Sequence, residues 1–501
     1  MASIDLIQLS IFFGLTAFVA FLTWRHCRRA PQSADDSKEY FLAGNSLNWV
    51  LIAGSITLTN INTDTIVGWN GNQMLLITWW EFSAVIGLLL LAWIFIPVYY
   101  HYKCTTVTEL LERRYNNPHI RGTVAVIFLI GDVLIFLPVM LYTSSLLIKA
   151  MFGLDIPLPA IAAFTAAVGA AYAILGGLRA VAFCDTYNGV IVLGMAVLIT
   201  VLSLNAVGWD LSDIPKERLT LIGSDESVLP WKTLLTGMIF TQLYYWSTNQ
   251  TITQRALAAP SVREARKGVY AAAVIRLLII PPIIAIPGVC AFKLYGGLGD
   301  ETYGHIVHHL LPRWLLGIFA TAMFGAVISS FTATLNSAAT LAVCDVHALY
   351  FNFTKKVRTL GVWLTLAFAI IAVALVPAFM NAVSIIQLIQ QLLGLFSMPI
   401  LSAFITGLLF RNVDARAVIG TIIFGAVFYG ALSFGWPVLH KEGHVMSKPP
   451  HFLHLMFITE LACIFFALGI NRVCFGRRAS FLLADPQARQ KLSALWSQSS
   501  A

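Results

Sequence analysis

The stretch Ser55-Ile-Thr-Leu-Thr-Asn-Ile-Asn-Thr-Asp-Thr-Ile-Val-Gly-Trp-Asn-Gly-Asn72 decides how this chain is read. It continues an apolar run that begins at Leu47, then fills with Thr, Asn, Asp and Gly where a membrane-crossing helix stays greasy. In hydrocarbon each unpaired amide or hydroxyl costs several kcal/mol, so polar groups persist there only where they line a cavity. A helix interrupted in this way, opposite a second one, is the sequence mark of a transporter binding site.

The rest of the chain is made of the same apolar material. Hydrophobic residues make up 58% and charged residues 11%, where a soluble domain carries about one quarter charged residues. The expected class is therefore an all-α integral membrane protein with the lipid bilayer as its surroundings. Its 19 prolines and 35 glycines do not signal disorder, because neighbouring helices satisfy the backbone groups such residues free. The net charge of +8 does not imply nucleic acid, since the basic residues lie in short loops on one side. Seven scattered cysteines without a C-x-x-C pair read as small buried hydrophobes, not as a disulfide or zinc framework.

Apolar segments run over 4–24, 47–68, 76–100, 122–150, 157–175, 181–206, 230–253, 269–293, 311–343, 360–380, 383–410, 416–436 and 452–471. Each is near or above the roughly 20 residues a crossing needs, which predicts about thirteen spans. The first lacks a basic leader and is followed by Arg25, Arg28 and Arg29, so it reads as retained. Loops after the odd-numbered spans carry Lys103/Arg113/Arg114, Arg179, Arg255/Arg263/Arg266/Lys267, Lys355/Lys356/Arg358, Arg411/Arg416 and Arg472/Arg477/Arg478. The opposite loops are acidic or mixed, with Asp210, Asp213, Glu217, Asp225 and Glu226. The positive-inside rule then predicts a multi-pass protein of the plasma or inner membrane, N-terminus outside and C-terminus cytoplasmic. No soluble catalytic domain fits between the spans, so an enzyme is not expected. No obligatory protein partner is indicated either. The tail from Asp485 to Ser499 reads as a short surface helix. Two histidine groups, His305/His308/His309 and His440/His444/His451/His454, read as interfacial residues, with zinc binding as the rival.

A second polar interruption, Thr241-Gln-Leu-Tyr-Tyr-Trp-Ser-Thr-Asn-Gln-Thr-Ile-Thr-Gln254, lies five spans after the first. An odd offset makes the two cross in opposite directions, as an inverted repeat demands. The expected organisation is 1–46 (first helix and cytoplasmic loop), 47–206 (repeat one), 207–229 (outside loop), 230–410 (repeat two), 411–471 (two peripheral helices) and 472–501 (tail). A third element is Gly325-Ala-Val-Ile-Ser-Ser-Phe-Thr-Ala-Thr-Leu-Asn-Ser337. Ser329 and Ser330 follow Ala326 by three and four residues, so their hydroxyls share a face with its carbonyl. Those oxygens make half a cage for a hard cation, which carbonyls of an unwound Leu58–Ile61 segment complete. Hydroxyls that merely back-bond to their own helix are the rival reading. Asp185 is either an ion-path carboxylate or a helix cap. Glu81, after Trp79 and Trp80, poses the same question.

These residues bring the chain to a known family. It resembles the sodium/solute symporters, and within them the sodium/sugar cotransporters. The resemblance is carried by Tyr40-Phe-Leu-Ala-Gly-Asn-Ser-Leu-Asn-Trp49, Leu58-Thr-Asn-Ile61, Leu175-Gly-Gly-Leu-Arg-Ala180, Tyr244-Tyr-Trp-Ser-Thr-Asn-Gln250, Gln254-Arg-Ala-Leu-Ala-Ala259, Val327-Ile-Ser-Ser-Phe331 and Leu335-Asn-Ser337. It implies a LeuT-type five-plus-five inverted-repeat core and sodium as the transported coupling ion. It implies sodium ligands at Leu58, Ile61, Ala326, Ser329 and Ser330. Asp185 matches a position on the sodium release path or, in some members, at a second sodium site. The solute positions it implies are Glu81, Gln242, Arg276 and Gln390, with Tyr245 as inner gate, Trp246 beside it, and Asn62 to Trp69, including Thr65, as a wall.

The chain departs from the sugar carriers at Thr65, where they have Gln, at Gln242, where they have Asn, and at Arg276, where they have Lys. The planar fork of Arg suits a carboxylate, which leaves sialic acid, an amino acid or another organic anion open beside a sugar. The expected function is sodium-driven import of a small polar solute by alternating access, with a non-transporting sensor as the reading from another class.

Overall fold

The backbone is helical almost throughout. The computed structural model describes residues 6–29, 42–61, 63–152, 154–351, 357–380, 385–435 and 450–482. In chain order the principal helices are α1 (Leu6–Arg29), α2 (Trp49–Asn60), α3 (Thr63–Gly71), α4 (Leu75–His101), α5 (Pro118–Lys149) and α6 (Leu158–Ala206). There follow α7 (Gly237–Leu243), α8 (Gln250–Leu257), α9 (Val262–Tyr295) and α10 (Arg313–Thr340). The last are α11 (Val357–Phe379), α12 (Ile385–Leu409), α13 (Ala415–Gly430) and α14 (Phe452–Val473). Among the described residues the sheet content is one antiparallel pair, Phe410–Arg411 with Ser480–Phe481.

Nine of the described helices are long and apolar enough to cross a membrane. The sequence predicts about thirteen crossings; of the four not among the nine, one is α1, and the other three have local causes. The expected crossings at 47–68 and 230–253 are cut by polar residues into short helices. Those at 157–175 and 181–206 share the uninterrupted α6, whose two apolar stretches are Leu158–Ile174 and Thr186–Ala206.

Both cuts are built from the residues that the sequence singles out. Asn48 opens α2 by accepting from the Leu51 amide at 3.0 Å. The helix ends at Ile61, whose φ of −97° and ψ of 72° leave the helical region. The Thr65 hydroxyl then takes the Asn60 carbonyl at 2.7 Å, and Thr63 meets Thr143 at 3.2 Å. Hydroxyls thus cover backbone that has lost its helical partners. The expectation that Leu58–Ile61 is unwound needs correction. Leu58 is still helical, and only Ile61 leaves the helix. In the second cut, the π-helical turn Tyr244–Thr248 runs into Asn249, which is extended and caps α8 by accepting from the Thr251 amide at 2.8 Å.

Asn70 ties the first broken helix to α9. Pro287 has no N–H, so the carbonyl four residues earlier, at Ile283, is left without its helical donor. The Asn70 amide donates to that carbonyl at 3.2 Å and accepts from Gly288 at 2.8 Å. The backbones approach so closely that a Cβ on Gly288 would stand 2.3 Å from the Asn70 carbonyl oxygen. Both broken helices and α10 share one core that includes Leu58, Ile61, Ile66, Trp246 and Ala326.

The loops sort by charge. Those expected inside bond to one another: Asn45 to Leu257, Trp49 to Glu264, Tyr100 to Ala259, and Arg114 to Phe410. Those expected outside do the same: Trp79 to Leu221, Gln73 to Gly296, Lys293 to Asp210, and His451 to Val228.

Candidate solute and sodium sites

A cavity of about 870 Å³, part of it open to solvent, lies where α2, α3, α4, α5, α7 and α12 converge. Of the solute residues expected from the sequence, Thr65, Trp69, Glu81, Gln242, Tyr245, Trp246 and Gln390 line it, whereas Arg276 and the rest of the described Asn62–Trp69 stretch do not. Arg276 stands directly behind the wall, with no surface exposed.

The geometry changes what Arg276 does. Its guanidinium pairs with Glu81 through Nη1 and Oε2, and its Nη2 donates to the Thr57 carbonyl at 3.4 Å. Its Cζ lies 4.4 Å from the centre of the Trp246 ring, within cation–π range. With the Asn60 amide turned so that its oxygen faces Arg276, that oxygen accepts from Nη2 at 2.9 Å and Nη1 at 3.2 Å, and the nitrogen donates to Tyr245 at 2.7 Å. The fork that a solute carboxylate would need is occupied by the protein. The two charges cancel, and among the described residues the cavity wall carries no other charge.

Gln242 is also committed inward. Its amide nitrogen donates to the Trp80 carbonyl at 2.6 Å and the Ser83 hydroxyl at 2.8 Å. Its oxygen accepts from the Trp246 indole at 2.9 Å. Gln242 therefore orients Trp246 more than it offers donors to a solute. Gln390 differs, because its buried Oε1 has no partner in the protein. Aromatic rings frame the space: Trp69 stacks on Trp80 at 5.1 Å, and Tyr245 meets Trp246 edge-on at 5.2 Å.

The sequence reading misses several wall residues. Asn60 and Thr241 sit inside the two quoted polar stretches and were legible by position. Trp80 adjoins Glu81 and was equally readable. Phe136, Met140 and Leu393, which complete the wall, are ordinary apolar residues of long helices and carry no distinguishing signal.

The expected sodium residues come together beside the cavity. Leu58, Ile61, Ala326, Ser329 and Ser330 are all buried, and the Ser330 hydroxyl donates to the Thr59 carbonyl at 2.9 Å. The last turn of α2 therefore faces α10 across one hydrogen bond. The hydroxyls of Ser329 on α10 and of Thr57 and Thr59 on α2 have no hydrogen-bond partner. Ser329 does not back-bond to its own helix, although Thr334 does, at 3.1 Å to the Ser330 carbonyl. Orphaned buried oxygens are costly, and a hard cation satisfies several of them at once. Asp185 lies within α6, and its side chain is outside the described residues.

Residues 40–425 match the model of the sodium:solute symporter family. An uncharacterised symporter of Escherichia coli, YidK, is 32% identical over 85% of this chain and 79% of its own length. The sodium/glucose cotransporter of Vibrio parahaemolyticus is 27% identical over 84% of this chain and 83% of its own. A rabbit sodium/myo-inositol cotransporter 2 is 27% identical over 92% of this chain and 74% of its own. Among solved structures, a sodium-coupled sialic acid symporter in a substrate-bound outward-open state superposes with a TM-score of 0.80. At 16% identity, over 94% of this chain and 98% of that one, it shows the LeuT-type fold. The chain belongs to the sodium:solute symporter family, and sodium is its coupling ion.

Proposed function

We propose that this protein imports a neutral polyhydroxylated solute, a sugar or a polyol, together with sodium. The observation that carries this reading is the Glu81–Arg276 pair, which uses up the ionised groups at the cavity and its back wall among the described residues. A carboxylate solute would have to displace Glu81 from a buried guanidinium. A ring bearing hydroxyls needs only the aromatic faces and the spare acceptor on Gln390. The similarity to sodium/glucose and sodium/myo-inositol cotransporters supports the same class.

Sodium binds between the last turn of α2 and α10, using the carbonyls at Leu58, Ile61 and Ala326 and the hydroxyls of Ser329 and Ser330. Asp185 belongs to its release path. By bridging the two helices the ion holds the outward-facing shape. When the repeats rock, those ligands separate and the Tyr245–Asn60 contact opens the solute path inward. The segregated loops support an orientation with the basic set in the cytoplasm, hence the N-terminus outside and the C-terminus inside a plasma or inner membrane. One inward charge gains about 2.3 kcal/mol per 100 mV, and a tenfold gradient adds about 1.4 kcal/mol. Together they support accumulation on the order of several hundredfold per sodium.

Uptake into proteoliposomes tests the reading, with labelled hexoses, inositols, sialic acid and amino acids, in sodium and in choline media. Neutral polyols should accumulate only with an inward sodium gradient, and Ser330→Ala should weaken the sodium dependence. Equal uptake in choline, or accumulation of the acids alone, would overturn it.

A further inference from the structure

Helix α10 repeats its polar pair. Asn336 and Ser337 follow Ser329 and Ser330 by seven residues, which is close to two turns. They therefore lie on the same face about 10 Å further along the axis. Asn336 is 2% exposed and Ser337 not at all. Both amide atoms of Asn336 and the Ser337 hydroxyl lack a hydrogen bond of good geometry. Hydroxyls on a buried helix ordinarily return to the carbonyl four residues back, as Thr340 does to Asn336 at 2.6 Å. Ser337 does not.

Asp132 faces the Ser337 hydroxyl from α5. It opens a π-helical turn, Asp132–Phe136, whose last residue lines the solute cavity. Such turns interrupt regular helix bonding and often mark functional positions. Tyr244, in the π turn of the second broken helix, lies close enough to feel the Asp132 charge. Asp132 is 6% exposed, and no ion pair includes it among the described residues.

A buried carboxylate without a cationic side chain must be neutralised by something else. A proton would settle the charge and keep the carboxyl paired with the Ser337 hydroxyl, but both amide atoms of Asn336 would stay without partners. A sodium ion takes a carboxylate, an amide oxygen and a hydroxyl together, all of them hard oxygen ligands. We propose that Asp132, Asn336 and Ser337 form a second sodium site on the face of α10 below Ser329 and Ser330. It is a stop between that gap and the cytoplasmic side, and only this place in the path rests on the sodium assignment made above.

Equilibrium binding of sodium-22 to the purified full chain, without solute, tests it. The wild-type chain should bind two ions and Asp132→Asn one, while Ser330→Ala should bind one of its two about tenfold more weakly. Ser337→Ala should weaken the other about tenfold, without lowering the thermal unfolding midpoint in sodium-free buffer. Weakening in Ser330→Ala with two undiminished ions in Asp132→Asn removes this site and leaves the upper one standing. Loss in Asp132→Asn with two undiminished ions in Ser330→Ala does the reverse. If Asp132→Asn binds both ions and only the pH dependence of binding moves, Asp132 holds a proton and the proposal fails. Should Asp132→Asn not fold, Ser337→Ala decides, and two undiminished ions in that variant overturn the site.

Discussion

The cavity wall and the gap beside it treat their polar atoms in opposite ways. In the wall, protein groups satisfy one another: Glu81 with Arg276, and Gln242 with Trp80, Ser83 and Trp246. In the gap, Ser329 keeps a hydroxyl that nothing in the protein satisfies. The wall is finished before any ligand arrives, and so it can select by shape and by a few spare acceptors. The gap is joined by the Ser330–Thr59 bond alone, and on the proposed sodium assignment an ion would complete it. Damage to the wall should therefore cost stability with or without sodium. Damage to the gap should cost sodium response and little else.

The largest effect should come from opening the wall. Arg276→Leu strands Glu81 as a buried charge, which costs about 3–5 kcal/mol. The thermal unfolding midpoint in detergent should fall sharply in sodium and in choline alike. Glu81→Leu combined with Arg276→Leu should recover most of the loss, because removing both members of a buried pair is often near neutral. Additive losses in the double variant would break the comparison at its root, since the pair would not then be a pair.

A smaller effect is expected from Gly87, where α4 presses on the second broken helix. A Cβ there would stand 2.5 Å from the Gln242 carbonyl oxygen and 2.8 Å from the Trp246 ring. Gly87→Ala should cost about 1–3 kcal/mol as overpacking. It should weaken solute affinity by displacing Trp246 while sodium affinity stays within a factor of two or so. An equal loss of both would mean that wall and gap are one mechanical unit.

The gap itself yields an effect of about tenfold in sodium affinity, visible as the half-saturating sodium concentration for uptake. Ser329→Ala and Ser330→Ala should share it but differ in stability without sodium. Ser330 loses its bond to the Thr59 carbonyl and with it about 1 kcal/mol. Ser329 has no such bond to lose, so its removal should leave the sodium-free protein as stable as before.

How far these features were legible follows from what kind of signal each one leaves. Polarity within an apolar run is visible in one dimension, so both broken helices were found, and Ser329 and Ser330 with them. The orientation of a side chain is not visible in this way. Arg276 read as a free fork for an anion because nothing in the sequence says that Glu81, 195 residues away, occupies it. The same holds for Gln242, whose amide turns toward Trp80. The unwound segment was placed a turn too early, because Leu58 keeps its helical geometry and only Ile61 breaks it. The apolar wall was silent, since Phe136 and Leu393 look like any other lipid-span residue. Asp132 was passed over as one acid in a long span, and only its meeting with Ser337 gives it a role.

The smallest effect lies at the rim expected outside, in a bond network as complete as the wall but able to titrate. His451 caps α14: its Nδ1 accepts from the Leu453 amide at 3.3 Å, while Nε2 donates to the Val228 carbonyl at 3.1 Å. That arrangement needs the neutral ring. Burial pushes its pKa below the ordinary histidine value, and His454 adds to the shift. The unfolded chain therefore binds a proton more readily than the folded one, near the ordinary pKa of about 6.5. The stabilisation is fully present above that value and fades as pH falls below it, because a protonated Nδ1 cannot accept. The loss should be about 1 kcal/mol, the usual worth of a cap. His451→Asn supplies an acceptor that does not titrate. Between pH 7.5 and 5.5 the wild-type midpoint should fall further than that of the variant, and the protection factor of the Leu453 amide, taken relative to its intrinsic exchange rate at each pH, should drop in the wild type alone. Parallel curves would show that the cap is not what titrates, and that this rim, like the cavity wall, is indifferent to its surroundings.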